Sequence, residues 1–379
     1  MNLALSDEQE FLREAARGAL SRFKTLEAAR EALDGDQSAL PDLWPTATQA
    51  GWPGLLIDEA HGGAGLDAFD AMLVMGECGR VLAAINLLGH LPASAILNDS
   101  GDGAPMLTEL ASGERRAAYL PVSPPGDLHE DWTVDPRHGL ERAPAPQARE
   151  QDGQLVVSGE LAFVPDAPGA DLLVGVAVRD GKPVGVAIEG SAKGVAVDPV
   201  ERYDATRSLA HVSLADAPVT VLDVSEDSLA AAWYLSQALL AAESLGSVET
   251  ALDVSVEYAK ERHTFGRAIG SYQAIKHALT EVLRQLDNGR SLLYYAGWAR
   301  RGAPEEFPVA ASAARSVGGR ALDEASRTMI SVHGGIGATW EHDAPLYFRR
   351  AQLSRRLLGG TGGATDRVAG ELLTAPQAA

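Results

Sequence analysis

Three long runs of apolar residues at helical spacing, Leu229 to Arg262, Tyr272 to Arg301 and Pro308 to His333, restrict this chain more than anything else in it. Helices of that length joined by short loops lie antiparallel and pack as a bundle, with a further helix expected from about Ala344 to Leu358. The first two runs carry Leu239, Leu245, Val248, Leu252, Leu286 and Leu293 on more than one face. One stripe against one neighbour cannot bury them all, so the bundle is expected to make subunit contacts as well. The segment after Gly359, rich in Gly, Thr and Ala, reads as partly loop and as fraying beyond Thr374.

Upstream, Ser6 opens a helix as its cap, with acids in the first turn and Phe11, Leu12, Ala15, Leu20 and Phe23 at helical spacing. Helical stretches from Asp42 to Ala50, Ala68 to Leu82 and Leu87 to Asn98 follow, divided by turn clusters such as Asp58-Glu-Ala-His-Gly-Gly-Ala-Gly65. Between Arg116 and Leu222 prolines cluster (Pro121, Pro124, Pro125, Pro136, Pro144, Pro146) and short β-rich runs appear, including Leu155-Val-Val-Ser158 and Ala210-His-Val-Ser-Leu214. Asp152-Gly153 and Asp180-Gly181 are hairpin signals. The expectation is an α+β chain. An N-terminal α-helical domain covers residues 1–115, a middle β-barrel or sandwich domain 116–224, and a C-terminal four-helix bundle 225–379.

Composition narrows the partners. A length of 379 residues suits two or three domains. A formal net charge of −20 argues against a nucleic-acid backbone, which binds basic surfaces. No window reaches the apolar length needed to span a bilayer, and the N-terminus has neither a basic nor an apolar leader region, so a cytoplasmic protein is expected. Cys78 stands alone, which excludes an intramolecular disulfide and a thiolate zinc site. It reads as a small buried hydrophobe, and no metal site is expected.

Two segments carry the chemistry. Tyr258-Ala-Lys-Glu-Arg-His-Thr-Phe-Gly-Arg-Ala-Ile-Gly-Ser-Tyr-Gln273 reads as a helix ending in a glycine turn. Arg262 is placed to pair with a pyrophosphate, Phe265 to pack on an adenine or ribose, and Gln273 opens the next helix with an amide. Val332-His-Gly-Gly-Ile-Gly337 is a turn where backbone can approach a ligand because no Cβ intervenes. Together they resemble the flavin-contacting segments of the acyl-CoA dehydrogenase family. Trp52-Pro-Gly-Leu-Leu-Ile and His61-Gly-Gly-Ala-Gly-Leu66 resemble its N-terminal domain, so the resemblance covers essentially the whole chain. It implies FAD as cofactor, an acyl-CoA thioester as substrate, an electron-transfer acceptor, cofactor contacts from Arg262, Thr264, Phe265, Gln273, Gly334, Gly335, Gly337 and Thr361, and an adenosine end formed by Arg262, Phe265, Gln273 and the Gly334 to Gly337 turn.

Desaturation of an acyl-CoA needs a carboxylate over the α carbon and donors to the thioester carbonyl, while the flavin takes the β hydrogen as hydride. The family places its glutamate at one of two positions. The first falls here on Gly359, in Gly359-Gly360-Thr361. The second falls on Ser236 or its neighbour Gln237. Neither is a base, which leaves Glu243 and Asp287 on facing bundle helices as weak candidates. Glu243 lies about 10 Å beyond the second position, at about 1.5 Å per helical residue. The alternative for both is a paired or solvent-facing carboxylate.

The ring end of the flavin site also departs from the family pattern. A Thr-Glu-Pro and Gly-Ser-Asp loop is replaced by Leu120-Pro-Val-Ser-Pro-Pro-Gly126, and a Trp-Ile-Thr run by Phe163-Val-Pro165, where Pro165 removes a backbone donor. Since the adenosine end of each flavin in the family is reached from a neighbouring subunit, this asymmetry suits one subunit of an α2β2 assembly, with a homotetramer as the alternative. The run His333-Gly-Gly-Ile-Gly-Ala-Thr-Trp-Glu-His-Asp-Ala-Pro-Leu-Tyr-Phe-Arg-Arg350 resembles those paired members, which often take steroid side-chain thioesters. Three readings follow: a heteromeric dehydrogenase whose partner supplies the base, a non-catalytic subunit completing a partner's flavin site, or a homomeric enzyme with an unorthodox base. Trp340, Glu341 and His342 alternatively form a packing turn. His333 is either a catalytic acid or a helix cap, and Arg349, Arg350, Arg355 and Arg356 read as a basic face.

Overall fold

The computed structural model describes residues 4–101, 104–122, 131–134 and 142–374. Pro124, Pro125 and Pro136, and most of residues 120–126, lie outside them. The chain opens with α1 (Asp7–Leu20), α2 (Thr25–Leu33), α3 (Trp44–Gln49), α4 (Ala68–Arg80), α5 (Leu87–Asp99) and α6 (Ala104–Ala111). Ser6 and Gln9 form a capping box on α1, and Asp67 with Asp70 forms another on α4. In α1, Ala16 and Leu20 face the core while Phe11 stays exposed. The helices α2 and α6 were not expected from the sequence pattern.

The strands β1 (Ala117–Leu120), β2 (Asp131–Val134), β3 (Arg142–Pro144), β4 (Gln147–Gln151), β5 (Gln154–Pro165), β6 (Leu172–Arg179), β7 (Lys182–Glu189), β8 (Val195–Pro199), β9 (Leu209–Pro218) and β10 (Thr220–Leu222) follow. Among the described residues, eight form one sheet in the order β10-β7-β6-β4-β5-β9-β8, with β1 added parallel to β6. Its tight turns are the expected ones. Asp152 and Gly153 (φ +52° and +80°) close β4 onto β5, and Asp180 and Gly181 (φ +51° and +76°) close β6 onto β7.

The C-terminal part comprises α7 (Glu226–Glu261), a two-stranded hairpin β11 (His263–Thr264) and β12 (Arg267–Ala268), α8 (Gln273–Gly302), α9 (Phe307–His333), α10 (Ala344–Ser354) and α11 (Gly360–Thr374). Two corrections apply here. The helix expected to reach Leu358 stops at Ser354, and Leu358, Gly359 and Gly360 turn the chain through positive φ. The segment expected to be partly loop is instead α11. It packs on α9, buries Ala364, and holds Thr365 Oγ1 at 2.6 Å from Ser316 Oγ.

The helices α4 and α7 cross backbone on backbone. A Cβ on Gly246 of α7 would fall 1.8 Å from the Gly76 carbonyl oxygen, and one on Gly79 of α4 1.9 Å from that of Glu243. This close crossing locks the N-terminal helices to the middle of α7, beside the sheet.

Candidate functional site

A buried ion-pair knot forms at that crossing. Glu243, on α7, accepts from Arg207 Nη2 at one carboxylate oxygen and from Arg350 Nη1 at the other, the latter at 2.8 Å. Arg350 also donates through Nε to Asp204 at 2.7 Å and through Nη2 to Thr206. All four charged side chains are buried. Burial works against charge on Arg350, but Asp204 and Glu243 outweigh it and raise its pKa. Asp204 is likewise held below the usual carboxylate range; burial opposes its charge, and Arg350 with Thr206 overrides burial.

The knot corrects two expectations. Glu243 has both oxygens committed to guanidinium groups and is not poised as a base. Arg350 does not belong to a surface basic face: neighbouring helical residues point about 100° apart, so Arg349 faces out while Arg350 faces the core. Arg349 donates to the Tyr203 carbonyl at 2.8 Å, and Arg355 lies 3.6 Å from Asp323. Asp287 is exposed on α8 and does not join Glu243.

The two expected base positions meet elsewhere, where α7 passes the turn after α10. Gln237 Nε2 donates to the Leu358 carbonyl at 3.3 Å, and Ser236 donates to the Trp233 carbonyl at 2.6 Å. Gly359 adopts φ +79°, and a Cβ there would lie 3.1 Å from the buried Trp233 indole. Ser312 donates to the Gln237 amide oxygen, while Arg315 caps the end of α10 by donating to the Ser354 and Leu357 carbonyls. Burial pulls the Arg315 guanidinium down to about 10. Serine, glutamine, glycine and an indole fill this corner. None of them is a carboxylate, and the indole was not anticipated from the apolar run that contains it.

At the other end of α7 the hairpin projects outward. The Arg262 N–H donates to the Tyr258 carbonyl at 2.8 Å, and the Ile269 N–H to the Arg262 carbonyl at 2.7 Å, so Arg262 stands at the hairpin's base. Phe265 (φ +50°) and Gly266 (φ +76°) form its tip, and Phe265 is 98% exposed. Tyr272 stiffens the hairpin: its hydroxyl donates to the Thr264 carbonyl at 3.1 Å, and the Arg267 guanidinium lies 4.0 Å over its ring. Gln273 is the exposed first residue of α8.

The glycine turn follows His333, whose ring meets Tyr258 in the last turn of α7 before the hairpin. Gly334 (φ +62°, ψ −133°) takes a conformation that favours glycine, and Gly334 and Gly335 are exposed. Gly337 is buried, and a Cβ on it would sit 2.7 Å from the Ile330 carbonyl oxygen, so it serves packing. His333 caps its own helix, donating from Nδ1 to the Met329 carbonyl at 2.7 Å. Its ring lies 4.3 Å from Tyr258 and 4.1 Å from His342. Trp340 is half-exposed beneath the Arg349 guanidinium. Thr361 is not brought to this group; it touches Gly319, about 20 Å back along α9 from His333 at about 1.5 Å per residue.

In the sheet, Phe163 is covered by the Arg202 guanidinium at 4.3 Å and met edge-on by His211 at 4.8 Å. Asp166 is buried nearby, accepting from the Gly89 N–H at 2.8 Å, and burial raises its pKa to about 7 against the pull of Arg207. It opens with Asp204 and Arg207 onto a cavity of about 580 Å³ also lined by Ile85, Asn86 and Pro168. Among the described residues no helix is long and apolar enough to cross a membrane, and no cluster of three or more His, Cys, Asp or Glu could hold a metal. Cys78 is buried and its thiol pKa is raised by burial.

The layered architecture has counterparts among known proteins. The family described as acyl-CoA dehydrogenase, N-terminal domain, matches residues 6–123, and acyl-CoA dehydrogenase, C-terminal domain, matches residues 231–373. The chain is 31% identical to the acyl-CoA dehydrogenase IpdE2 of Mycobacterium tuberculosis, covering 98% of this chain and 99% of that one. It is 32% identical to FadE34 of the same organism over 96% of its own length but only 47% of FadE34. The ChsE4-ChsE5 complex from Mycobacterium tuberculosis shares the fold at a TM-score of 0.86, with 24% identity over 99% of this chain and 100% of that one. The steroid ACAD Tcur3481-Tcur3483, in its G363A variant, does so at 0.84, with 24% identity over 97% of this chain and 98% of that one. The chain therefore belongs to the acyl-CoA dehydrogenase family, FAD-dependent oxidoreductases, and FAD is its cofactor. The residues present fit one half of that cofactor. The exposed guanidinium, aromatic ring and glycine backbone at 262–273 and 334–335 suit a nucleotide. At the ring end, Phe163 has its face taken by Arg202, and Pro165 carries no N–H.

Proposed function

We propose that this chain is one subunit of a heteromeric acyl-CoA dehydrogenase, completing the adenosine side of a flavin whose ring side and catalytic base belong to a partner subunit. The observation that carries this reading is the corner at Gly359. Both positions where the family keeps its glutamate meet there without a carboxylate, and the Trp233 indole occupies the adjoining space. In this assignment Arg262 pairs with the pyrophosphate, Phe265 packs on adenine or ribose, Gln273 offers its amide, and Gly334 and Gly335 bring backbone close. Bound FAD supplies the hydride acceptor for desaturation. This chain's residues hold and orient; the α proton is taken by a base outside it. Exposure of the hairpin supports the reading, since Phe265 has nothing of its own chain to pack on.

The relatives favour a bulky acyl group. Tcur3481-Tcur3483 is a steroid ACAD and ChsE4-ChsE5 is a complex of two differently named chains. A steroid-like acyl-CoA thioester is accordingly the proposed substrate class, with a separate electron-transfer protein as acceptor. The test is to assay the purified chain with added FAD against short, long and steroid-like acyl-CoAs, alone and co-expressed with an acyl-CoA dehydrogenase-like chain encoded beside it. Turnover only in the co-expressed preparation is the expected result. Robust turnover by the isolated chain would overturn the proposal.

A further inference from the structure

We propose that Tyr258, His333 and His342 are positioning residues whose contacting rings set the spacing between the Arg262 hairpin and the glycine turn, and that protonation of His342 releases this spacing. The assignment of a ligand to these two segments rests on the proposed function; the mechanical coupling between them does not. Each ring comes from a different stretch of chain. Tyr258 sits in the last turn of α7, and its carbonyl accepts the Arg262 N–H that starts the hairpin. His333 ends α9 directly before Gly334. His342 closes the loop that leaves the turn. With ring centroids 4.3 and 4.1 Å apart and planes tilted by 31° and 43°, the row of rings runs hairpin base, turn entry, turn exit.

The protonation states follow from the hydrogen bonds. His333 donates from Nδ1 to the Met329 carbonyl, so that nitrogen carries its proton. His342 accepts the Ala344 N–H at Nδ1, 3.0 Å away, so that nitrogen carries a lone pair. This contact serves the first turn of α10, whose N-cap residue Asp343 makes no side-chain cap. A proton on Nδ1 would remove the acceptor and place a cation at the positive end of a helix. The charged and titratable groups around it are His333 from α9, Arg30 from α2 and Asp343 on its own segment, while Tyr258 from α7 meets the His333 ring. Asp343 is paired with Arg30, which blunts the one group that would stabilise an imidazolium. Burial, then His333, holds the His342 pKa below its ordinary value.

The sign is therefore fixed. A histidine with a depressed folded pKa favours the native arrangement when neutral, and that contribution is lost as pH falls below about 6.5, the unfolded value. Two measurements test this. In the isolated chain, amide hydrogen exchange of residues 262–269 and 334–344 is followed from pH 8 to 5, correcting for the intrinsic pH dependence. Both segments are expected to lose protection together below about pH 6 in wild type, while His342→Asn, which keeps an acceptor and cannot charge, holds protection flat. In the flavin-loaded assembly, flavin retained after gel filtration is expected to fall over the same range, and Tyr258→Leu to lower it at least several-fold at pH 7.5 with unchanged circular dichroism. Identical pH profiles for wild type and His342→Asn in both measurements would overturn the proposal. If Arg262→Ala leaves flavin retention unchanged while the exchange coupling persists, the ligand assignment fails and the coupling stands. If Arg262→Ala releases flavin while the exchange profiles match, the coupling alone fails.

Discussion

Replacing Glu243 by glutamine separates its structural role from the catalytic one that its position in the bundle first suggests. In the native chain Glu243 and Asp204 face Arg207 and Arg350, so the carboxylates and guanidinium groups of the knot balance in charge. Glu243→Gln leaves one buried guanidinium without an anion and turns an amide donor toward a donor. Breaking a buried pair by removing one partner costs about 3–5 kcal/mol, because the charge left behind stays desolvated. With an unfolding entropy of about 2.1 cal/mol/K per residue, 379 residues melting as one unit have about 0.8 kcal/mol/K, so Tm should fall by about 4–6 °C. A smaller cooperative unit would shift further. Differential scanning calorimetry of wild type, Glu243→Gln and a Glu243→Leu/Arg207→Leu pair measures this, and the double variant should recover part of the loss. A Glu243→Gln protein with unchanged Tm but abolished turnover in the assembly would refute the ion-pair reasoning and restore Glu243 as a base.

Three further outcomes are expected. Asp166→Asn keeps an acceptor for the Gly89 N–H but cannot ionise; because the folded pKa of Asp166 is raised to about 7, its stabilising contribution is full below about pH 4 and lost as pH rises to 7, so the variant should flatten that part of a denaturant-midpoint profile. Gly359→Glu should create no dehydrogenase activity and should lower Tm, since φ +79° and an indole at 3.1 Å both oppose a side chain there; turnover comparable to an active dehydrogenase would mean the Trp233 corner is open. Arg262→Ala should reduce flavin retention in the assembly without changing the fold, each charge-assisted hydrogen bond lost being worth about 1.5–3 kcal/mol, and occupancy equal to wild type would remove the cofactor assignment from this residue.

What the sequence revealed tracks how local each feature is. The order of helical and β-rich thirds, the Asp-Gly hairpins and the helix-turn-helix around Arg262 depend on neighbours within a few residues, where periodicity and glycine speak directly. The helix α11 was hidden because Gly360, Gly362 and Gly363 weaken its local signal, and its packing on α9, through buried Ala364 and the Thr365–Ser316 hydrogen bond, sustains it. The ion-pair knot was hidden more completely. Arg207 and Asp204 sit beside a strand, Glu243 mid-helix and Arg350 in a run of arginines, and nothing in their spacing shows that they meet. Trp233 reads as one more apolar residue of α7 until the chain folds back and sets Gly359 against it. The base-less corner was partly legible, because the absence of a carboxylate at Gly359 and Ser236 is a statement about residue type alone.

In the proposed assembly this chain orients a flavin for a partner and performs no desaturation of its own. Native mass measurement with a flavin count tests it most directly, on the chain alone and co-expressed with its partner, with acyl-CoA turnover read on the same samples. The lone chain is expected to carry no stoichiometric flavin and to be inactive, while the co-expressed material is expected to be a heteromer that retains flavin, turns over, and loses flavin on Arg262→Ala in this chain. A homomeric assembly of this chain that holds one FAD per subunit and dehydrogenates acyl-CoA would contradict it.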